Sequence, residues 1–229
     1  MSHPSAGLPS PEALILDLDG TLVDTVEARI RAWLAVFAEY DIPVTRPQVA
    51  PLIGSDGRWL ARRVASDAGL DLPPGRDEEI DRRSGEIYET LNRDPRPLPG
   101  ARQLLLDLER RGLPWAIATS SRREQVGASV HALRLPRPPT IVDGTHVEHA
   151  KPAPDLLLLA ARELDVPPTA AWYIGDSTWD MASAQAAGMT AVGVLAGSAV
   201  GAGDLRAAGA VSVVRTLDEL QSRLGQQPP

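Results

Sequence analysis

One stretch, residues 13–25 with the sequence ALILDLDGTLVDT, constrains the fold of this chain more than any other. It begins with an unbroken apolar run, residues 13–16, which is typical of a strand buried on both faces of a parallel sheet. The run stops at Asp17, and Asp19 follows two places later, just before a glycine. Because such sheets bind their ligands at the carboxyl ends of the strands, this stretch predicts a functional site there.

Two carboxylates at one strand end, Asp17 and Asp19, repel each other. At ~4 Å and an effective dielectric constant of about 20, the repulsion is on the order of 4 kcal/mol. A bound cation between the two groups removes most of that penalty, and oxygen ligands suit a hard divalent ion. The pair therefore predicts a Mg²⁺ site.

The composition excludes several classes of protein. The net charge is −7, from 23 basic and 30 acidic residues, whereas a general nucleic-acid-binding protein needs a basic face, so we expect no nucleic-acid partner. The chain has no cysteine, which excludes disulfides and thiolate metal sites and is consistent with a cytoplasmic location. No apolar run approaches the roughly 20 residues of a membrane span, so no membrane partner is expected. Residues 1–11 lack a signal-peptide pattern and predict a loose tail.

The segment from Thr25 to Arg93 contains no run typical of a buried strand. Helical spacing of its apolar residues predicts helices at residues 26–40, 58–68 and 77–91. The stretch 94–100, rich in proline, is typical of a turn or hinge. We therefore expect residues 25–93 to form an all-helical domain, inserted into a core domain made of residues 12–24 and 94–229.

After Gly100, patterns of helices and buried strands alternate along the chain. The predicted strands lie at residues 114–118, 140–142, 170–174, 191–195 and 210–214. The predicted helices lie at residues 101–111, 122–133, 154–164, 181–187 and 217–224. This alternation predicts an α/β fold with a doubly wound parallel sheet, whose functional residues line up at the carboxyl ends of the strands.

Three further polar motifs occur along this predicted core. Thr119 follows the strand at residues 114–118 and begins the run TSS. Lys151 opens the sequence KPAPD. Asp176 and Asp180 lie in GDSTWD, directly after another predicted strand. A hydroxyl, a lysine and further carboxylates near one sheet edge are the groups that would bind a phosphate ester and a metal ion.

With DLDGTLVDT, these motifs resemble, in order, the four motifs of the haloacid dehalogenase-like (HAD) superfamily of phosphohydrolases. The resemblance implies a Rossmann-like core with a helical cap that closes over the active site. It implies that Asp17 is a nucleophile that attacks phosphorus and forms an aspartyl-phosphate. Asp19 would protonate the leaving alcohol and later deprotonate the attacking water.

The same resemblance implies a ligand set for the metal ion. The carboxylates of Asp17 and Asp176 and the backbone carbonyl of Asp19 would hold Mg²⁺, in keeping with its preference for oxygen ligands. Asp180 would act behind the metal, either through water or by orienting Lys151.

The resemblance also implies a phosphate-binding set. The hydroxyl of Thr119 and the backbone N–H of Ser120 would hold a phosphoryl oxygen, and Lys151 would neutralise negative charge in the transition state. Each of these motifs also has a structural alternative. Thr119 by itself is typical of a helix N-cap, acids such as Asp176 are common at helix starts, and a loop lysine is usually exposed.

The leading prediction is a Mg²⁺-dependent phosphatase acting on a small phosphomonoester, similar to phosphoglycolate phosphatases. The alternative is a sugar-phosphate mutase, similar to β-phosphoglucomutase, with which the chain shares Arg-Ala-Trp at residues 31–33. The histidine that gates the mutase aligns with Arg29, and its phosphate-binding cap arginine aligns with Gly57. Both differences favour hydrolysis. A mutase would be activated by a sugar bisphosphate, whereas a phosphatase would not.

Two further classes are disfavoured by the motifs. The dehalogenases of this superfamily have no acid two residues after the nucleophile, and Asp19 is such an acid. A non-catalytic binding protein would have no need of the complete motif set. We expect a small phosphate ester as the partner and a monomer or homodimer. The cluster Arg58, Arg62 and Arg63 predicts a solvated helix face or, alternatively, a contact with a second anionic group of the substrate.

Overall fold

The computed structural model of this protein describes residues 9–225. Its strands are β1 (Ala13–Leu16), β2 (Val23–Asp24), β3 (Arg96–Pro97), β4 (Trp115–Ala118), β5 (Ile141–Val142), β6 (Ala171–Gly175), β7 (Thr190–Val194) and β8 (Ser212–Val214). Six of them form one parallel sheet in the spatial order β5-β4-β1-β6-β7-β8. The predicted doubly wound α/β fold is confirmed.

The helices follow the chain in two groups. Those before β3 are α1 (Val26–Glu39), α2 (Arg46–Val49), α3 (Gly57–Asp67) and α4 (Arg76–Leu91), with a 3₁₀ turn at Ala50–Leu52. Those after β3 are α5 (Ala101–Arg111), α6 (Arg123–Ala132), α7 (Asp155–Glu163), α8 (Thr178–Ala187), α9 (Ala202–Ala207) and α10 (Leu217–Gly225), with a 3₁₀ turn at Pro168–Ala170.

The central strand β1 is buried on both faces because helices cover both sides of the sheet. Leu14 and Leu16 belong to the apolar cluster that contains α5 and α10, whereas Ile15 belongs to the cluster that contains α7 and α8. Successive side chains of a strand point to opposite faces, so an unbroken apolar run is what this position requires.

The helices α1, α3 and α4 share a separate apolar cluster. Ile30 and Phe37 of α1 pack there with Leu60 of α3 and Ile80 of α4, and each of them is at most 2% exposed. The helical composition of residues 26–91 agrees with the predicted insertion. The domain boundaries themselves, at residues 25 and 93, stay a prediction, and most of the predicted tail at residues 1–11 lies outside the described residues.

The structure differs from the predicted elements at three places. The flanks of the insertion pair with each other, because β2 and β3 form a two-stranded antiparallel ribbon. Proline is depleted in strands, so Pro97 concealed this pairing in the sequence. The helices α2 and α9 were also missed, since elements of four and six residues are too short for a helical period to show.

Truncation of β1 tests how far stability depends on its burial on both faces. Leu16 is 0% exposed, so we expect Leu16→Ala to lower the free energy of unfolding by about 2–5 kcal/mol. The matched control is Leu158→Ala on α7, where the leucine is 41% exposed and the change should stay within about 0.5 kcal/mol. Denaturant unfolding measures both, and equal losses would contradict this account.

Candidate active site

Three polar residues converge at the carboxyl edge of the sheet. Asp17 directly follows β1, Thr119 follows β4, and Asp176 follows β6. Because β4 and β6 are the two parallel neighbours of β1, these three strand ends lie side by side. All three side chains are at most 5% exposed, so they form a buried polar centre at the edge of the core.

Lys151 lies in the middle of this centre. Its Nζ is 2.5 Å from Asp17 Oδ1 and 2.7 Å from Asp180 Oδ1, and the residue is 1% exposed. It is the only lysine in the chain. Burial alone would lower its pKa, but the two carboxylates reverse this effect and raise the pKa above its ordinary value. Lys151 is therefore positively charged and is not an exposed loop lysine.

Both oxygens of the Asp180 carboxylate are engaged by donors of the protein. Oδ1 lies near Lys151 and 3.0 Å from the hydroxyl of Tyr173. Oδ2 accepts hydrogen bonds from the backbone N–H groups of Asp176 and Ser177, at 3.2 and 2.9 Å, and from the Ser177 hydroxyl at 2.6 Å. Such a carboxylate orients Lys151 and the turn that carries Asp176.

The carboxylates form a cluster of excess negative charge. Asp17, Asp176 and Asp180 each offer an oxygen, and these oxygens lie within 4.8 Å of one another. Burial raises the pKa of Asp17 to about 7 although Lys151 opposes this, and burial with the neighbouring acids raises the pKa of Asp176. With all three carboxylates ionised, as a bound cation would favour, the single lysine would leave two negative charges. A divalent cation would balance them.

Asp19 lies at the same edge, and its carboxylate has its own set of donors. Oδ1 accepts hydrogen bonds from the hydroxyls of Thr25 at 2.7 Å and Tyr88 at 2.9 Å. Oδ2 accepts from Arg29 at 2.9 Å and from the Ser121 hydroxyl at 2.5 Å. Burial would raise the pKa of Asp19, but Arg29 and the three hydroxyl donors outweigh it and lower the pKa. Asp19 is therefore ionised in this conformation.

The hydroxyls after β4 do not cap the next helix. Thr119 Oγ1 accepts a hydrogen bond from the Ser121 backbone N–H at 3.2 Å, and α6 begins at Arg123 without a side-chain cap. The alternative of Thr119 as an N-cap is therefore wrong. The Ser120 hydroxyl donates to the carbonyl of Gly54 at 3.3 Å, which joins this loop to the helical insertion.

These residues line one narrow cavity between the sheet and the insertion, with a volume of about 70 Å³. The wall from the sheet carries every predicted site residue apart from Asp180, which lies behind Lys151 and Ser177. The opposite wall comes from the insertion and includes Arg29, Trp33, Ile53, Gly54, Gly57, Leu60 and Asp81. Reactive groups and a cover of helices therefore enclose the same space.

The arginine cluster near this wall pairs with acids on the surface. Arg58 lies 3.4 Å from Asp56 and Arg63 lies 2.8 Å from Asp67. Arg62 pairs with Asp77. None of these three arginines lines the described cavity, which agrees with a solvated helix face.

Sequence patterns alone did not identify the donors of Asp19. Arg29 was singled out only because it aligns with another residue type in the mutases, and Tyr88 gave no signal, since one tyrosine in a helix is usually part of a core. Both lie on helices of the insertion, Arg29 on α1 at 10 residues from Asp19 and Tyr88 on α4 at 69 residues from it. The TSS run, which contains Ser121, and the stretch 13–25, which ends at Thr25, were the patterns that pointed toward the site.

Fold and site together define an enzyme of the doubly wound α/β class, with an acidic centre at the carboxyl edge of the sheet and a helical insertion above it. The profile of the haloacid dehalogenase-like hydrolase family matches residues 14–194. The chain belongs to that family.

Two relatives are similar over most of their own length, and a third is much longer than this chain. Fructose-1-phosphate phosphatase YqaB of Escherichia coli is 32% identical over 79% of this chain and 95% of its own. Beta-phosphoglucomutase of Bacillus subtilis is 31% identical over 85% of this chain and 88% of its own. Protein SUPPRESSOR OF QUENCHING 1, chloroplastic, of Arabidopsis thaliana is 32% identical over 80% of this chain, which spans only 18% of that longer protein.

Solved structures agree with this assignment. A hydrolase from Pseudomonas syringae superposes with a TM-score of 0.89 at 32% identity, covering 95% of this chain and 99% of the other. The relatives named as phosphatases support a phosphoric monoester hydrolase. Within residues 9–225, no helix combines the length and the apolar character needed to cross a membrane.

A matched pair of glycines tests the packing of the acidic centre. Gly20 has φ +81°, and an added Cβ would lie 2.3 Å from Asp176 Oδ2, whereas Gly69 has φ +74° with nothing within 4 Å. Alanine at either position costs about 1–2 kcal/mol of backbone strain. We expect only Gly20→Ala to displace Asp176 and to weaken divalent-cation binding, by about 10-fold or more.

Titration calorimetry with Mg²⁺ measures this affinity, and denaturant unfolding measures the strain that both variants share. Unchanged cation affinity in Gly20→Ala would contradict a role of Asp176 in binding the ion.

Proposed function

We propose that this protein is a Mg²⁺-dependent phosphatase that hydrolyses a small phosphomonoester through an aspartyl-phosphate on Asp17. The observation that carries the proposal is the buried contact of Lys151 with both Asp17 and Asp180, beside Asp176. Apolar residues at this place would stabilise the fold about as well as a lysine buried between carboxylates. Its use is to stabilise negative charge during a reaction.

In the first step, a carboxylate oxygen of Asp17 attacks phosphorus, a phosphorus–oxygen bond to Asp17 forms, and the ester bond to the leaving alcohol breaks. The leaving oxygen takes a proton from Asp19. In the second step, Asp19 takes a proton from water, the water oxygen attacks phosphorus, and the bond to Asp17 breaks to release inorganic phosphate. Two easier displacements thus replace one difficult hydrolysis.

The hydrogen bonds of Asp19 bear on these two roles. In this conformation its carboxylate is ionised and accepts four hydrogen bonds, which suits the base of the second step. The first step requires a protonated Asp19. Since Arg29 and Tyr88 lie on helices of the insertion, a shift of α1 and α4 would remove two donors and raise the pKa of Asp19.

Thr119, Ser120 and Lys151 would bind the phosphoryl group. The Thr119 hydroxyl and the charged Lys151 line the cavity beside Asp17. The Ser120 N–H belongs to the same loop as Thr119. Positive charge and N–H donors at this position would stabilise the negative charge that develops on phosphoryl oxygens.

The residues at the centre fit a divalent cation. Asp17 and Asp176 supply oxygen ligands only, Thr21 fixes Asp176 by donating to its Oδ1 at 2.9 Å, and full ionisation of the acids would leave negative charge that one lysine does not balance. We propose that Asp17, Asp176 and the backbone carbonyl of Asp19 hold Mg²⁺, with Asp180 behind them. When bound, the ion would neutralise charge on the phosphoryl group so that the carboxylate can approach it.

A sugar-phosphate mutase is the second candidate, because one relative is named beta-phosphoglucomutase. A mutase needs a second phosphate site on the wall opposite Asp17. In this chain that wall carries Gly57 and the acid Asp81, which favours hydrolysis.

We also propose that residues 25–93 act as the cap of a core made of residues 12–24 and 94–229. A cytoplasmic location and a monomeric or homodimeric state stay predictions.

Replacement of the nucleophile tests the proposed mechanism. Asparagine keeps the shape of Asp17 but cannot form the acyl phosphate, so Asp17→Asn should lower turnover of p-nitrophenyl phosphate by at least about 10³-fold. Circular dichroism should show an unchanged fold. Asp24→Asn, at an exposed acid on β2, is the matched control and should leave turnover unaltered. Retained activity in Asp17→Asn would refute the assignment of the nucleophile.

Removal of the metal tests the proposed ion separately. We expect EDTA to abolish phosphate release and excess Mg²⁺ to restore it, because the ion balances the charges of the centre. Mg²⁺ should also raise the melting temperature of the wild-type protein, since it binds only the folded state, and should do so much less in Asp176→Asn. Full activity in EDTA would argue against a metal-dependent reaction.

A further inference from the structure

The wall opposite Asp17 contains a close contact between a glycine and an acid. Gly57 begins α3, and Asp81 lies on α4. An ideal Cβ on Gly57 would lie 1.9 Å from Asp81 Oδ1, so the carboxylate occupies the space that a side chain at position 57 would need. The glycine therefore lets an acidic side chain form part of the cavity wall.

One oxygen of this carboxylate has a partner and the other does not. Asp81 Oδ2 accepts a hydrogen bond from Arg122 at 2.8 Å, across the gap between insertion and core. Within residues 9–225, no hydrogen-bond donor of the protein reaches Asp81 Oδ1, although the side chain is only 18% exposed. Burial raises the pKa of Asp81, and Arg122 compensates for this only in part. A donor from a ligand would complete this site.

The cations that line the cavity are already paired. Lys151 contacts two carboxylates. Arg29 donates to Asp19 at 2.9 Å, to the Ser121 hydroxyl at 2.6 Å and to Gln125 at 2.8 Å, and its guanidinium lies 3.4 Å from the centre of the Tyr88 ring. Such an arginine cannot turn toward a ligand without breaking all of these contacts.

In this conformation, a second anionic group of a ligand would therefore meet Asp81, which is already paired with Arg122, and would find no unpaired cation among the described residues that line the cavity. Like charges placed close together repel each other, and specificity often rests on such repulsion. A hydroxyl group, in contrast, would donate to Asp81 Oδ1. The wall thus favours a ligand with a hydroxyl group at this end over a ligand with a second anionic group.

We propose that Asp81, exposed to the cavity by Gly57, selects phosphomonoesters whose alcohol part is uncharged and hydroxylated, such as polyol or sugar phosphates, over those with a carboxylate or a second phosphate. The inference rests on the proposed phosphatase function and adds the class of substrate to it. Asp81 acts here on the leaving group and takes no part in the chemistry at phosphorus.

Two substrates of one skeleton test the proposal. Glycerol 3-phosphate and 3-phosphoglycerate differ only in a hydroxymethyl group against a carboxylate. We expect kcat/KM of the wild-type enzyme to be at least about 10-fold higher for glycerol 3-phosphate, because the carboxylate would face Asp81. In Asp81→Asn, which keeps an acceptor and adds a donor, this ratio should fall by about 10-fold, mainly through faster turnover of 3-phosphoglycerate.

Two control variants separate selection of the substrate by Asp81 from a structural role of Asp81. Arg122→Gln removes the bridge between insertion and core and the cation beside Asp81 but keeps the Asp81 carboxylate, so the preference for glycerol 3-phosphate over 3-phosphoglycerate should be kept or increased. Glu89→Gln, at an exposed acid of the same helix, should change neither value. An equal effect of Asp81→Asn on both substrates would assign Asp81 to closure of the insertion and overturn the proposal.

The wild-type ratio is decisive even if a variant does not fold. A wild-type enzyme that hydrolyses both substrates equally, or prefers 3-phosphoglycerate, refutes selection by Asp81 while leaving the phosphatase function in place. If neither these substrates nor p-nitrophenyl phosphate releases phosphate with Mg²⁺ present, the proposed function fails, and this inference fails with it.

Discussion

The contact of Lys151 with two buried carboxylates is the interaction on which the site depends. Charges removed from water destabilise a fold unless each is paired, and here the acids Asp17, Asp176 and Asp180 outnumber the single lysine. The sheet brings these acids together because β1 and β6 are neighbours with parallel carboxyl ends. The negative charge that would remain on ionisation of these acids is what the proposed divalent cation would balance.

The helical insertion takes part in the site as well as covering it. Arg29 and Tyr88 reach down from α1 and α4 to the carboxylate of Asp19, while Asp81 meets Arg122 of the core. The ionisation of Asp19 is thus linked to the position of these helices. The same helices form the cavity wall opposite Asp17. In the proposed mechanism, one inserted unit would therefore bear both on proton transfer and on the choice of substrate.

Most of the fold was predictable because its signals are local. The unbroken apolar runs at β1 and β6 and the helical spacing in α1, α3 and α4 agree with the observed elements to within two residues at each end. The β2–β3 ribbon was not predictable, since its two strands are far apart in the chain and one contains a proline. Short elements such as α2 carry too few residues to show a period.

The sequence by itself predicted which groups would carry the proposed chemistry, since Asp17, Asp19, Thr119, Lys151 and Asp176 each stand in a short motif at a strand end or in the loop that follows. Only the tertiary structure decided which groups surround them. The contacts of Arg29 and Tyr88 with Asp19 depend on how the insertion packs on the core, and the approach of Asp81 to Gly57 depends on how α3 packs against α4. That packing is set by contacts between residues distant in sequence, and no local pattern records them.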